Sequence, residues 1–383
     1  MSDNLKIRKL CLRNWKNFLD VEVAIGDRVF LVGANAAGKS NFLDAFRFLR
    51  DLASPGGGFH EAVMQRGGTS AVRCLAARQR PDVEIHVELR DDKKTSNWRY
   101  EIAFHQDARR RPLLRSERVV RDGVVLVDRP ESDDKSDPAR LRQTYLEQIS
   151  ANASFRDLVG FFTSVRYLHI VPQLVREPDR SVARSNDPFG GDFLEQVTKT
   201  PAQTRNSRLR RIRNALRIAV PQLEEIELWT DDRGTPHLRG NYQHWRPHGA
   251  WQTEEQFSDG TLRLMGLLWG IMEKKGVLLL EEPELSLHQE IVRVLPQMFA
   301  RVQRRTGQQI LLSTHSPELL RDEGIGLDEA LLILPNAGGT RVTPAEFLPQ
   351  VRELLGGGLT LADIVIPQTR PLHGQQLSLL LNV

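Results

Sequence analysis

Residues 28–52 open with Arg28-Val29-Phe30-Leu31-Val32-Gly33-Ala34-Asn35-Ala36-Ala37-Gly38-Lys39-Ser40 and run on as NFLDAFRFLRDL. Arg28–Val32 reads as a short buried strand. Gly33–Ser40 matches G-x-x-x-x-G-K-[ST] in full. Behind it, Phe42, Leu43, Ala45, Phe46 and Leu49 recur at helical spacing. Strand, glycine-bearing loop and helix is the context in which backbone N–H groups and a helix N-terminus converge on a phosphate. In that setting Lys39 brings a point charge to the β/γ oxygens and the Ser40 hydroxyl can ligate Mg²⁺. A chance match would lack the flanking strand and helix.

Three further segments carry chemistry. Val277-Leu278-Leu279-Leu280-Glu281-Glu282-Pro283-Glu284 is an apolar run that ends in acids. A fully buried strand delivers its last residues to the carboxyl edge of a sheet, where ligands of open α/β sheets bind. Glu281 would hold Mg²⁺ directly or through water, and Glu282 would polarise an attacking water. Alone, the run also fits a core strand with a solvated acidic turn. Phe257-Ser258-Asp259-Gly260-Thr261 precedes the helix LRLMGLLWGIM. Ser258 is a good N-cap and Gly260 leaves the backbone open to close approach, so this helix start can hold an anion. An ordinary capped helix would look the same. Gln309-Ile310-Leu311-Leu312-Ser313-Thr314-His315-Ser316-Pro317 is a second buried strand with a polar end. It places His315 within reach of a γ-phosphate, although a lone His is more often structural.

Composition sets the frame. The 383 residues are 40% hydrophobic and 27% charged, which allows a packed core. The formal charge is +4, yet only 10 of the 53 basic residues are Lys. Arg offers a rigid fork of donors for phosphates and carboxylates, though a GC-rich genome gives the same bias. Cys11 and Cys74 form no metal-binding or disulfide pattern. The start MSDNLKIRKL lacks an apolar signal core, and no run reaches the roughly 20 apolar residues of a membrane span. A soluble, cytoplasmic protein without membrane contact is expected.

Along the chain, Leu5–Leu12 and Phe18–Ala24 read as strands. VEIHVEL, WRYEIAF and SERVV-DG-VVLV form a meander with an Asp122-Gly123 hairpin turn. Residues 128–139 and 176–191 read as polar loops, 141–162 and 193–220 as helical, and 165–171 as a strand. The expected fold class is α/β. Its core is an ABC-type P-loop NTPase built from both chain ends, 1–80 and 256–345. An antiparallel β subdomain spans 81–130, a helical or lid insertion 138–255, and a tail 346–383.

Taken in order, these segments resemble the ABC-type ATPases of the RecF/SMC/OLD branch within the AAA-like ATPases. GANAAGKSN is similar to that group's Walker A, including Asn41. LLLEEPELSLH is similar to its Walker B and D-loop, FSDGTLR to its signature and STHS to its His switch. The opening LKIRKLCLRNWKNF is similar to its N-terminal strand pair. The likeness is good over 1–52 and 256–320 and loose between. It implies ATP as cofactor with Mg²⁺, and a homodimer or higher even oligomer joined through ATP. Ser258 and Gly260 of one chain would then close over ATP held by Gly33–Asn41 of the other. VRYLHIVPQ is similar to a Q-loop, which would bring Gln173 to Mg²⁺ and the attacking water; Gln65 competes for that role through its nearness to the phosphate loop.

The chain departs from the group in three ways. It has no long heptad run, so no coiled-coil arm is expected. About 70 residues follow His315, too few for a Toprim nuclease. The insertion between Lys39 and Gln173 is too large and β-rich for a transporter ATPase. Arg205, Arg208, Arg210, Arg211, Arg213 and Arg217 in one helix, and Arg109, Arg110, Arg111 and Arg115 in a second run, could track a nucleic-acid backbone without reading sequence. They could equally be solvated faces paired with acids such as Glu224 and Glu225. Two functions stay open. One is an ATPase acting on or sensing DNA in repair or antiviral defence. The other is a slow ATP-switched scaffold that controls a separately encoded effector such as a nuclease.

Overall fold

The computed structural model describes residues 5–77, 81–93, 95–176, 187, 189–243, 250–272 and 276–370. The first elements are β1 (Leu5–Trp15), β2 (Phe18–Ala24), β3 (Arg28–Val32), α1 (Lys39–Ala53), α2 (Phe59–Met64) and α3 (Thr69–Val72). Next come β4 (Val83–Asp91), β5 (Asn97–Gln106), β6 (Pro112–Arg121), β7 (Val124–Arg129), α4 (Ser132–Ser136), α5 (Arg156–Thr163), β8 (Arg166–Leu168), α6 (Pro172–Arg176), α7 (Phe193–Lys199) and α8 (Ala202–Ala219). Then follow β9 (Leu223–Thr230), β10 (Pro236–Tyr242), β11 (Ala250–Thr253), α9 (Asp259–Met272), β12 (Val277–Glu281) and α10 (Gln289–Thr306). The chain closes with β13 (Gln309–Thr314), α11 (Pro317–Leu320), β14 (Ala330–Leu334), β15 (Arg341–Pro344), α12 (Val351–Gly356) and α13 (Leu361–Gln368).

Two compact units divide the chain: residues 1–166, 275–279 and 299–383 form the first, and residues 167–274 and 280–298 the second. The first unit contains an antiparallel sheet ordered β2-β1-β4-β5-β6-β7, so the N-terminal strands and the meander share one sheet. Its outer hairpin turns on Asp122 (φ 50°) and Gly123 (φ 84°), the paired left-handed residues of a two-residue turn. A second sheet is ordered β15-β14-β3-β13-β12-β8, and the division between units passes within β8 and β12. β3 pairs in parallel with β13 and β14, and all its residues are buried, as a strand covered on both faces requires.

Gln309 joins the two sheets. Its side chain accepts from Ile7 N at 2.9 Å and donates to the carbonyls of Ile7 (2.8 Å) and Gly26 (2.7 Å). Helix α1 supplies the aromatic core: Phe48 packs on Trp15 and Phe104, and Phe42 packs on Phe18 and Phe46. Each such ring contributes on the order of 2 kcal/mol by leaving water. The second unit carries a separate three-stranded sheet ordered β11-β10-β9.

Several local expectations change. Residues 128–139 lie at the surface as expected, with only Arg129 and Asp134 buried, but carry α4 and the start of a 3₁₀ turn at Pro138–Arg142. The cause is Arg129, fully buried and forked onto Asp134 at 2.9 Å, with Glu117 3.1 Å away. Burial pushes the Glu117 carboxyl up, against the pull of the Tyr145 and Leu146 amides and Arg129. The helix expected over 141–162 shrinks to its last turns in α5. Thr144 and Asn152 bond locally with Glu147 and the Leu146 carbonyl, competing with a helical ladder. The strand expected over 165–171 stops at Leu168, and Pro172 starts α6. Pro201 splits the helix expected over 193–220 into α7 and α8. The polar loop expected over 176–191 lies mostly outside the described residues.

Candidate functional site

In the first unit, β3 runs into the phosphate loop and α1 begins at Lys39. Gly38, the N-cap, sits at φ 115°, which a side chain rarely tolerates. Ala36 also has positive φ (60°), a conformation that costs on the order of 1 kcal/mol. Lys39 is buried, and its Nζ donates to the carbonyls of Gly33 (2.9 Å) and Ala34 (3.1 Å). Ser40 is exposed at the helix start, and Asn35 is exposed at the loop tip. Thr314 of β13 pairs with Val32 of β3, so His315 and Gly33 leave the sheet side by side. His315 is exposed, and Ser316 behind it caps α11 through Leu319 N.

A brace not read from the sequence holds this loop. The Asn17 side chain donates to the Ala37 carbonyl (2.9 Å) and to Thr340 Oγ1 (2.7 Å), and accepts from Asn41 Nδ2 (2.8 Å). Thr340 Oγ1 also donates to the Ala37 carbonyl (3.2 Å), and Trp15 Nε1 to the Asn41 carbonyl (2.8 Å). The signal available was the polar Lys16-Asn17 pair between two strands, close before the loop. Beside it, Asp44 on α1 is forked by Arg66 at 2.9 Å and met by Lys16 at 2.6 Å. Burial alone would raise its carboxyl, but Arg66, Lys16 and Arg47 outweigh that and hold it at about 2. Gln65 caps α2 and donates to Glu61 at 2.8 Å.

In the second unit, Glu281 and Glu282 leave β12 half-buried, and Glu282 has φ 43°. Strained backbone of this kind gathers at functional positions. His169 Nδ1 lies 3.2 Å from the Glu281 carbonyl oxygen, and burial holds its pKa below the usual histidine range despite that contact. Leu168, Ile170, Arg263, Glu281, Glu282 and Pro283 line a small cleft of about 10 Å³, close to the room one water needs. Ser258 is exposed at the start of α9; its Oγ accepts from Thr261 N at 3.2 Å and lies 2.8 Å from Thr261 Oγ1. Gly260 packs on Ser286, where an added Cβ would sit 2.6 Å from the Ser286 carbonyl oxygen. Gln173 is exposed on α6. The chemistry available is an amide-lined loop with a buried ammonium in one unit. The other holds paired carboxylates and a capped helix start.

The family model described as "AAA domain, putative AbiEii toxin, Type IV TA system" matches residues 28–321. The chain belongs to this AAA-domain family. Among curated proteins, this AAA-domain chain is 32% identical over 109 residues to the DNA replication and repair protein RecF of Synechocystis sp., covering 28% of this chain and 27% of that one. It is 21% identical over 343 residues to the endonuclease GajA of Bacillus cereus, covering 82% of this chain and 56% of GajA. It thus spans about a quarter of the one relative and just over half of the other. A solved SmcHead bound to the C-winged helix domain of ScpA matches with a TM-score of 0.52 at 13% identity, covering 88% of this chain and 96% of that one. An Smc head with an extended coiled coil, bound to the C-terminal domain of ScpA derived from Pyrococcus furiosus, gives 0.52 at 12% identity, covering 92% and 99%. The chain thus combines an AAA domain by family with the fold of an SMC head. No helix among the described residues is long and apolar enough to cross a membrane.

Proposed function

We propose that two copies of this protein close over two ATP molecules and hydrolyse them in shared sites. The observation that carries the reading is the start of α9. Ser258 stands exposed at the N-terminus of a 14-residue helix, a place where amides and the helix dipole favour an anion. It lies on the second unit, while the phosphate loop lies on the first. In the closed pair, the amides of Gly33–Ser40 and the Lys39 ammonium hold the β- and γ-phosphates, with Asn41 behind them. Ser40 and Glu281 offer the hard oxygens that suit Mg²⁺, which when bound supplies positive charge to the phosphates. Glu282 orients the attacking water and takes its proton. Gln173 meets the same water and His315 the γ-phosphate. Ser258 and the backbone at Gly260 come from the partner copy.

Mixing a Ser258→Arg chain with a Lys39→Ala chain tests this. Each alone should be inactive, and the mixture should regain turnover through one intact composite site. No recovery would overturn the shared-site reading.

We further propose that the work driven by ATP concerns DNA. RecF acts in DNA replication and repair and GajA is an endonuclease, as their names state. Helix α8 adds support: its 18 residues hold six arginines and no acid. Arg205, Arg210, Arg211, Arg213 and Arg217 make no ion pair among the described residues, so Glu224 and Glu225 do not absorb them. Turnover raised by duplex DNA supports the DNA reading. Slow, DNA-indifferent hydrolysis with a co-purifying protein would favour the ATP-switched scaffold for a separate effector.

A further inference from the structure

We propose that Arg176 is a positioning residue for the signature segment: it neutralises Asp259 and ties the helix that carries Gln173 to the start of α9. The proposal rests on the shared-site reading above.

Asp259 is the awkward residue of the segment. It follows Ser258 directly and precedes Gly260, so it sets a carboxylate at the helix start that would meet a triphosphate. Like charges a few ångströms apart at a partly wet surface repel strongly. Something has to cancel this charge before an anion can approach.

Arg176 is placed to do so. Its Nη2 donates to Asp259 Oδ1 at 2.6 Å and to the Phe257 carbonyl at 2.7 Å, gripping the segment on both sides of Ser258. Ser258 itself stays exposed, with its hydroxyl turned to Thr261. The guanidinium thus fixes the backbone that presents Ser258 without occupying Ser258. Arg263, one turn along α9, also faces Asp259 and Glu282. Its Nε, however, is buried with no hydrogen-bond partner among the described residues, and Arg176 supplies the hydrogen-bonded ion pair to Asp259.

The grip reaches further in both directions. Arg176 ends the short helix α6 whose second residue is Gln173, so Gln173, which serves its own chain's ATP, and Ser258, which serves the partner copy's, are held in one frame. On the other side, the Gly260 backbone packs closely on the Ser286 carbonyl, which couples the start of α9 to the segment after Glu282. Gln173, Ser258 and the 282–286 turn therefore move together while the Arg176–Asp259 pair is intact.

The test is a double-mutant cycle read by ATP-driven dimerisation, kcat and KM, with ATP binding to the single chain and thermal midpoint measured alongside. Arg176→Ala should leave single-chain ATP binding unchanged and weaken ATP-driven dimerisation and kcat roughly ten- to hundredfold, as an uncancelled charge facing an anion would. Arg176→Lys, which keeps the charge but replaces the planar guanidinium with a compact ammonium, should fall between. In the Asp259→Asn background the same Arg176→Ala change should cost less than about threefold, because the charge it cancels is gone. Full dimerisation and turnover in Arg176→Ala would overturn the proposal. So would an equal loss in both backgrounds, which would mark Arg176 as merely structural. Wild type run in parallel separates the two levels. If it does not associate with ATP, the shared-site reading falls and takes this proposal with it. If it does and Arg176→Ala matches it, this proposal alone falls.

Discussion

The Lys39 ammonium donates to the Gly33 carbonyl at 2.9 Å, across the mouth of its own loop. The loop is therefore already wrapped around a positive charge, and a phosphate has only to exchange carbonyl oxygens for its own. Lys39→Ala should abolish ATP binding while leaving the fold intact. Equilibrium titration with a fluorescent ATP analogue checks this, and retained micromolar affinity would show that the phosphate is held elsewhere.

Glu282 combines a carboxylate with a strained backbone at φ 43°. Glu282→Gln should bind ATP, turn over at least ~100-fold more slowly, as loss of a general base implies, and accumulate as a dimer. Glu282→Gly should lose as much turnover, yet its thermal midpoint should match or exceed wild type, because glycine accepts that φ freely. Wild-type hydrolysis in either variant would place the base elsewhere.

Asn17 makes three side-chain hydrogen bonds around the phosphate loop. Asn17→Ala should weaken ATP binding roughly tenfold or more, given about 1 kcal/mol for each hydrogen bond that orders the loop. Isothermal titration beside a melting curve distinguishes a loosened loop from a globally unstable protein. Unchanged affinity would reduce the brace to a bystander.

The Asp44 carboxyl sits at about 2, below its ordinary value of 3.8. Its pKa is lowered in the folded state, so its stabilising contribution is complete above about pH 4 and is lost as the pH falls toward 2. The shift corresponds to on the order of 2 kcal/mol. Urea midpoints of wild type and Asp44→Asn should differ most at neutral pH and converge through that window. A constant gap would mean the Arg66 and Lys16 contacts do not depend on its charge.

Arg129 is sealed between Glu117 and Asp134. Arg129→Met should destabilise by about 3–5 kcal/mol, since it strands two buried acids. Turnover per folded molecule should be unaffected, which activity corrected for folded fraction would reveal.

The parts that sequence disclosed are those with strong local grammar. Arg28–Val32, Val277–Glu281 and the Asp122-Gly123 turn fall where apolar runs and turn residues place them. The phosphate loop and the acid pair are legible for the same reason, since each is a contiguous run of side chains with one chemistry. What stayed hidden depends on partners far along the chain. Asp128–Ala139 looks like an irregular polar loop, yet Arg129 is buried against Glu117 and anchors a segment that otherwise stays mostly exposed. Asn17 looks like a turn residue until Thr340 meets it. The Arg176–Asp259 pair joins residues 83 apart, and nothing in either segment names the other.

The brace on the phosphate loop has a consequence for how the protein is made. Asn17 and Thr340 are separated by 323 positions, so the loop is synthesised long before its last support. At 5–20 residues per second, a ribosome would take roughly 15–65 s to supply it. Over that interval the nascent chain would carry the residues of a nucleotide site without the frame that shapes them. Competence for ATP would thus wait until Thr340 has emerged, well after the loop itself is made.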